Sequence, residues 1–157
     1  MIRIQQTPFD PGAELAGLKT GGAAGAAGAA GATVMFVGTV REVSEGRPIE
    51  AMTLEHYPAM TERALAGIEA EARRRWALDE VLIVHRHGKL EPGEDIVLVI
   101  TRAAHRQAAF EACAFLMDWL KTRAPFWKLE SDATGERWVE ARGSDEEAAR
   151  RWSGGKG

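Results

Sequence analysis

Residues 120–128 read LKTRAPFWK, and this segment marks the point where a long helix must end. Pro125 has no backbone N–H and disfavours helical angles at Ala124, so the helix stops and an extended segment follows at once. Lys121 then lies in the last helical turn and Lys128 just past the break, which predicts that their ammonium groups meet beside an aromatic wall. Taken alone, the segment favours a simpler interpretation, a cationic helix end that complements the helix dipole, with core aromatics.

Amphipathic helices and short strands lie on both sides of this break. Apolar residues recur at helical spacing over 58–76 and 105–122, which predicts one buried face on each helix. These faces comprise Met60, Ala64, Leu65, Ile68, Ala72 and Trp76 on the first helix and Ala109, Phe110, Cys113, Met117 and Leu120 on the second. Strands are predicted at 2–6, 33–41, 49–56, 81–87, 95–102 and 137–141, and shorter helices at 11–19 and 144–152.

This order of elements predicts an α+β fold. We expect one domain over residues 1–152, with a mostly antiparallel or mixed sheet and helices packed on it. Strand 49–56 is expected to pair with strand 33–41, which precedes it. The Gly/Ala-rich stretch at 21–32 is interpreted as a flexible or loosely helical connector, and residues 153–157 as a disordered tail.

Charge and cysteine content exclude several classes of protein. The 157 residues carry a formal net charge of -3, whereas a general nucleic-acid binder shows a basic excess. No apolar run approaches the roughly 20 residues that span a bilayer, and no signal peptide is visible. The single cysteine, Cys113, rules out an intramolecular disulfide framework and fits a reducing compartment, so we expect a cytoplasmic protein.

Metal binding and nucleophilic catalysis have weak support. His85 and His87 share one face of a strand, but neither cysteine nor carboxylate accompanies them at ligand spacing, so no metal site is predicted. We interpret His85 as a surface or interface histidine. Cys113 falls on the apolar face of a helix, which is typical of a core thiol. No Gly-x-Ser-x-Gly motif supports a serine triad.

A set of cationic residues lies at the ends of predicted elements, where binding sites are usually assembled. The set consists of Arg41, His105, Arg106, Lys121 and Arg142. A helix over 105–122 is about 26 Å long, so His105 and Arg106 lie at the opposite end from Lys121. They share a pocket only across a subunit boundary, or else belong to separate sites. Scattered, solvated charges are the simpler alternative.

Several blocks of the sequence resemble the MoaE family, the catalytic (large) subunits of molybdopterin synthase. The resemblance runs from about residue 31 to residue 152, and its blocks are specific. They are TVMFVGTVR at 33–41, MTLEHYPAMTERAL at 52–65, VLIVHRHGKLEPGEDIVLV at 81–99, AAHRQAAFEACAFLMDWLKTRAPFWKLE at 103–130 and RWVEARGSDEEAARRW at 137–152.

The resemblance implies an α/β hammerhead-type fold and a sulfurtransferase without a cofactor of its own. The family forms a central dimer, and each end binds a small ubiquitin-like sulfur carrier, which gives a heterotetramer. The thiocarboxylated Gly-Gly tail of the carrier enters a pocket on the large subunit. Sulfur is transferred twice to cyclic pyranopterin monophosphate (precursor Z), which yields the dithiolene of molybdopterin. A non-catalytic scaffold that binds a ubiquitin-like protein is the alternative; a small anion-binding regulatory domain is a further one.

The resemblance also implies roles for individual residues. Lys121 and Lys128 match the two active-site lysines, with electrostatic and acid–base roles at the thiocarboxylate carbonyl and at opening of the substrate ring. Phe36 and Met117 line the channel or the core. The implied substrate-binding residues are Thr39, Val40, Arg41, Leu129, Glu130, Arg142, and, from the other protomer, His105 and Arg106. Thr39 and Leu129 stand where relatives often carry basic residues, so they reduce the positive charge of the pocket.

Overall fold

The α+β class predicted from the sequence is confirmed by a computed structural model that describes residues 1–21 (backbone alone from 19), 30–139 and 143–153. The helices are α1 (Pro11–Gly21), α2 (Pro58–Arg75), α3 (Arg106–Arg123) and α4 (Gly143–Arg150). The strands are β1 (Ile2–Gln5), β2 (Ala32–Thr39), β3 (Val43–Ser44), β4 (Arg47–Pro48), β5 (Ala51–His56), β6 (Glu80–Arg86), β7 (Gly88–Leu90), β8 (Asp95–Ala103), β9 (Phe126–Asp132) and β10 (Gly135–Val139).

The first sheet, in the order β1-β6-β8-β2, forms the centre of the molecule. β1 pairs with β6 in parallel, and the other neighbours are antiparallel. α2 and α3 cover one face around Phe115, while Leu15 and Leu18 of α1 pack on the other. The apolar run of β8 is therefore buried on both sides, as its sequence predicts.

The second sheet has the order β10-β9-β5-β7 and is antiparallel throughout. The prediction that 49–56 pairs with 33–41 is wrong, because β5 pairs with β7 and β9 while β2 pairs with β8. The β3–β4 hairpin separates β2 from β5 along the chain, and β8 offers β2 a longer apolar partner. β7 forms between the predicted strands 81–87 and 95–102, where no strand is predicted, and β9 is the extended segment predicted after Pro125.

Two large apolar residues predicted to be buried are exposed. Met60 is 56% exposed, and Phe110 is 62% exposed. On α2 the buried position next to Met60 is Thr61, whose hydroxyl donates to the Tyr57 carbonyl, so its polar atom is satisfied inside the protein. On α3 the buried face is displaced toward Phe115, which leaves Phe110 outside.

The ends of α1 and α4 agree only in part with the sequence prediction. Asp10 caps α1, and its carboxylate accepts a hydrogen bond from the Ala13 N–H at 3.0 Å. α4 begins at Gly143 and ends at Arg150, whereas the sequence predicts a helix over 144–152. Most of the predicted connector at 21–32 and residues 154–157 of the predicted tail lie outside the described residues. No helix in the described part of the chain is long and apolar enough to cross a membrane.

Candidate active site

The end of α3 and the start of β9 are joined by a very short turn. Ala124 has φ -75° and ψ 127°, which are extended angles, and its carbonyl accepts the Phe126 N–H at 2.9 Å. β9 therefore begins immediately after Pro125. Side chains alternate between the faces of a strand, so Lys128 lies on the same face as Phe126 and near the last turn of α3, which carries Lys121.

A cavity of about 720 Å³ opens between this turn, the end of β2 and the start of α4. Its volume is in the range typical of small-molecule sites. Five predicted site residues line it together: Thr39, Arg41, Lys121, Lys128 and Glu130. The other charged lining residue is Asp145, and the aromatic and apolar lining includes Phe36, His85, Met117 and Phe126. Among the described lining residues three cations face two carboxylates, so this part of the lining has a positive excess.

Both lysines have a carboxylate nearby, but at a distance longer than a hydrogen bond. Lys121 Nζ lies 3.6 Å from Asp145 Oδ1, and Lys128 Nζ lies 3.6 Å from Glu130 Oε1. The Lys121 side chain is 55% exposed, whereas Glu130 is only 3% exposed. A second cation, Arg137, binds Glu130 Oε2 at 3.0 Å. The buried carboxylate is thus compensated, as a buried charge must be.

Arg41 and Thr39 form the β2 side of the cavity. Arg41 is exposed at the rim, and its guanidinium makes no ion pair with any described carboxylate. The Thr39 hydroxyl donates to Asp95 Oδ1 at 3.1 Å, at a register shift between Gly38 and Thr39. A Cβ at Gly38 would lie 2.7 Å from Val97 Cγ1, so the two strands approach closely beside this bulge and only a glycine fits without strain.

His85 contributes a neutral ring to the cavity. It is buried and stacks on Phe126 with ring centroids 3.8 Å apart, so its interpretation as a surface or interface histidine is wrong. Burial lowers the pKa of His85 to about 4, and His56 and His87 add smaller contributions in the same direction. Nδ1 lies 2.8 Å from the Arg86 carbonyl and donates to it, because a carbonyl only accepts; the other ring nitrogen is then the acceptor.

The remaining predicted site residues lie elsewhere. His105 and Arg106 are exposed at the other end of α3 and line a separate pocket of about 450 Å³ with Gly31. Val40 is buried, and its backbone groups bond to Glu94 and Gly93. Leu129 has the opposite parity to Lys128 on β9, so it lies on the other face of the second sheet. Arg142 is outside the described residues.

Cys113 has the properties of a core residue. It is buried beside Thr101, and burial raises its thiol pKa to about 11. A thiol of that kind is a poor nucleophile at neutral pH. Among residues 1–21, 30–139 and 143–153, no group of three or more His, Cys, Asp or Glu side chains is arranged to hold a metal ion.

A comparison with protein families decides the relationship. A model of the MoaE protein family matches residues 4–123, which is most of the chain. The chain belongs to the MoaE family. A molybdopterin synthase catalytic subunit from Pseudomonas aeruginosa is 57% identical over 151 residues, covering 96% of this chain and 97% of the relative. The pairwise similarity therefore extends beyond Arg123, into the part that carries Lys128 and Asp145.

Solved structures of MoaE-family proteins share the fold. A molybdopterin biosynthesis MoaE protein from Burkholderia ambifaria is 51% identical, with a TM-score of 0.80, covering 98% of this chain and 97% of that one. The molybdopterin synthase structure from Staphylococcus aureus is 29% identical, with a TM-score of 0.76, covering 88% of this chain and 96% of that one. These likenesses confirm the fold that the sequence resemblance implies.

Three residues at or beside the MoaE-family cavity were not predicted from the sequence. The sequence patterns place Asp145 at the start of a helix, His85 at a surface or interface and Arg137 at the start of a strand. A charged residue on a short strand directly across from a buried carboxylate is the pattern that would have identified Arg137. Asp145 and His85 depend on how α4 and β6 pack, which no local pattern specifies.

Proposed function

We propose that this chain is the catalytic subunit of a molybdopterin synthase. It would transfer sulfur from the thiocarboxylated C-terminus of a small ubiquitin-like carrier to cyclic pyranopterin monophosphate. The observation that carries the proposal is one cavity, in a MoaE-family chain, that joins Lys121 and Lys128 with Arg41. The substrate carries a phosphate, and a site for it needs fixed cations.

Each of these cations has a role that its geometry supports. Arg41, exposed at the rim without a described carboxylate partner, would bind the phosphate through its planar fork of donors. Lys121 and Lys128 line the same cavity from the two sides of the α3–β9 turn. Their ammonium groups would stabilise the negative charge that develops at the thiocarboxylate carbonyl and protonate the ring heteroatom that leaves when the substrate ring opens.

The sulfur atom comes from the carrier, so no catalytic cysteine is required in this chain. In each transfer the C–S bond of the thiocarboxylate breaks and a bond from sulfur to a substrate carbon forms. The carbon–oxygen bond at that substrate carbon breaks, and its oxygen leaves in protonated form. A water oxygen replaces the sulfur on the carrier, which leaves an ordinary carboxylate. The burial and the raised thiol pKa of Cys113 agree with this assignment.

We further propose that the site is completed by a second copy of this chain. β2 is the last strand of the first sheet, and its outer edge has no partner among the described strands. Met35 and Phe36 on β2 and Phe110 on α3 are exposed near this edge. Antiparallel pairing of two β2 strands about a two-fold axis would place the Arg106 end of one copy at the Arg41 end of the other.

Mixed dimers test the composite site. A dimer of Lys121→Ala with Arg106→Ala has one site with both defects and one site with neither, whereas each variant alone has only damaged sites. We expect the mixed dimer to recover about half of the wild-type rate, because one of two sites is intact. Absence of recovery in a verified mixed dimer would show that Lys121 and Arg106 act within one protomer or not at all.

Reconstitution tests the proposed reaction. The chain is combined with a thiocarboxylated carrier and precursor Z, and the dithiolene product is measured by oxidation to a fluorescent pterin. A carrier that ends in an ordinary carboxylate is the control and should give no product. Binding of the carrier without product would favour the non-catalytic scaffold instead. The cytoplasm is the proposed location, since the lone thiol of Cys113 is free.

A further inference from the structure

A line of charges runs from the cavity to the β3–β4 hairpin. The Arg137 guanidinium lies between two carboxylates: Nη2 is 3.0 Å from Glu130 Oε2, and Nη1 is 3.3 Å from Glu45 Oε2. Arg137 and Glu130 are directly opposite each other on β10 and β9, so their side chains share one face of the sheet. Glu130 lines the cavity, but Arg137 lies behind it.

The two oxygens of Glu130 have different environments. Oε2 accepts the charge-assisted hydrogen bond from Arg137, whereas Oε1 is buried and has no hydrogen-bond partner. The Lys128 ammonium lies 3.6 Å from Oε1. A buried carboxylate with one unsatisfied oxygen strongly attracts a cation beside it. The strength of that attraction depends on how much of the negative charge Arg137 already neutralises.

We propose that Arg137 is a positioning residue for this active site: by holding Glu130 Oε2, it sets the orientation and the net charge of the carboxylate that places Lys128 in the cavity. The proposal rests on the proposed function, because it assigns Lys128 a part in the sulfur transfer. Without Arg137, the uncompensated Glu130 would draw the Lys128 ammonium toward the wall and away from the reacting atoms. A displacement of about 1 Å is enough to cost up to roughly 100-fold in rate.

The second carboxylate, Glu45, provides a matched control. Glu45 is 58% exposed at the tip of the β3–β4 hairpin, so its ion pair with Arg137 is of the surface kind that contributes little. Glu45→Gln removes this outer charge and leaves the pair of Arg137 with Glu130 in place. Arg137→Gln removes the inner pair at almost the same point of the structure.

Steady-state kinetics in the reconstituted synthase test the proposal. For Arg137→Gln we expect kcat to fall by about tenfold or more while KM for precursor Z and the Kd for the carrier stay within about twofold, because Lys128 is misplaced for the chemical step and not for binding. Glu45→Gln should keep kcat within about twofold of wild type. Arg137→Gln that is folded and has wild-type kcat would overturn the proposal.

If Arg137→Gln does not fold, Arg137→Lys tests the proposal instead. Lysine keeps the positive charge but lacks the fork that spans Glu130 and Glu45, so we expect partial rescue, with kcat about threefold below wild type. A folded Arg137→Lys with wild-type kcat would also overturn the proposal. The wild-type protein is measured in the same assay: if it makes no product, the proposed function itself fails, which is a different result from active wild type with unaffected Arg137 variants.

Discussion

The Lys121 ammonium lies 3.6 Å from the Asp145 carboxylate, and this pair joins the last turn of α3 to the first turn of α4. α4 is held against α3 at its other end, where Asp118 accepts hydrogen bonds from Arg151 at 2.6 Å and from the Trp152 indole at 2.7 Å. α4, the next helix after the α3–β9 turn, thus helps to position the first lysine of the proposed site.

Asp145→Asn should therefore alter catalysis more than stability. The substitution removes the negative charge near Lys121 at a partly exposed site, so we expect kcat to change by about two- to fivefold and the free energy of unfolding by less than about 0.5 kcal/mol. Glu146→Gln is the control, because the neighbouring Glu146 pairs with Arg150 at 3.9 Å on the same helix. Equal effects of both substitutions on kcat would contradict a specific role for Asp145.

Lys121→Ala should abolish product formation and leave the fold intact. The side chain is 55% exposed, so its removal should change the free energy of unfolding by less than about 0.5 kcal/mol. Lys121→Arg should also fail if the residue transfers a proton, because arginine does not deprotonate. Product yield and urea denaturation are measured on the same preparations. Turnover by Lys121→Ala would disprove the assigned role.

Arg41→Ala should weaken binding of the substrate. Loss of a charge-assisted contact to a phosphate is expected to raise KM for precursor Z by about tenfold, the equivalent of ~1.4 kcal/mol. Binding of the carrier, measured by calorimetry, should not change. Arg47→Ala removes another exposed arginine on nearby β4 and should leave KM unaffected. If both variants raise KM equally, the effect is one of overall charge.

Stability should depend on the protonation of His85. Its pKa is lowered to about 4 by burial, so between pH 6.5 and 4 the unfolded chain binds a proton that the folded chain does not. The free energy of unfolding should consequently fall as pH drops through this range, by on the order of a few kcal/mol. His85→Phe keeps the ring stacked on Phe126 and should flatten the dependence, whereas His105→Gln, at an exposed position, should not.

Two glycine substitutions should have opposite effects. At Gly38 a Cβ would lie 2.7 Å from Val97 Cγ1, so Gly38→Ala should lower the free energy of unfolding by about 1–3 kcal/mol. At Gly67, exposed in the middle of α2, nothing lies within 4 Å of a new Cβ, so Gly67→Ala should raise it by about 0.5–1 kcal/mol. Chemical denaturation of both variants checks the pair, and loss of stability at Gly67 would be contrary to expectation.

Local sequence patterns predicted the elements better than their partners. Helical periodicity located α2 and α3, because it depends only on neighbours three or four residues apart. The same periodicity wrongly assigned Met60 and Phe110 to the buried faces, because the apolar stripe on each helix is wider than the surface that the sheet covers. The pairing of β5 with β9 joins residues far apart in sequence, and no local pattern specifies such a contact. The extent of a single domain over 1–152 stays a prediction.

The sequence predicted the part of the site that one short segment supplies. Lys121 and Lys128 meet in one cavity because Pro125 forces a sharp turn between them. Their catalytic roles stay predictions. Arg41 joins them through the packing of β2 against β8, which only the resemblance to the family indicated. His105 and Arg106 are separated from this cavity by the length of α3, as the helix geometry predicts.

The short turn after α3 also fixes which residues of β9 face the cavity. The Phe126 N–H bonds to the Ala124 carbonyl, so β9 starts directly after the turn with no intervening loop. One inserted or deleted residue there would therefore exchange the two faces of the strand. Leu129 or Trp127 would then replace Lys128 in the cavity, although every side chain is still present in the chain. The proposed chemistry thus depends on the parity of the spacing between the two lysines. We expect a change of length at this point to be more damaging than many changes of residue type.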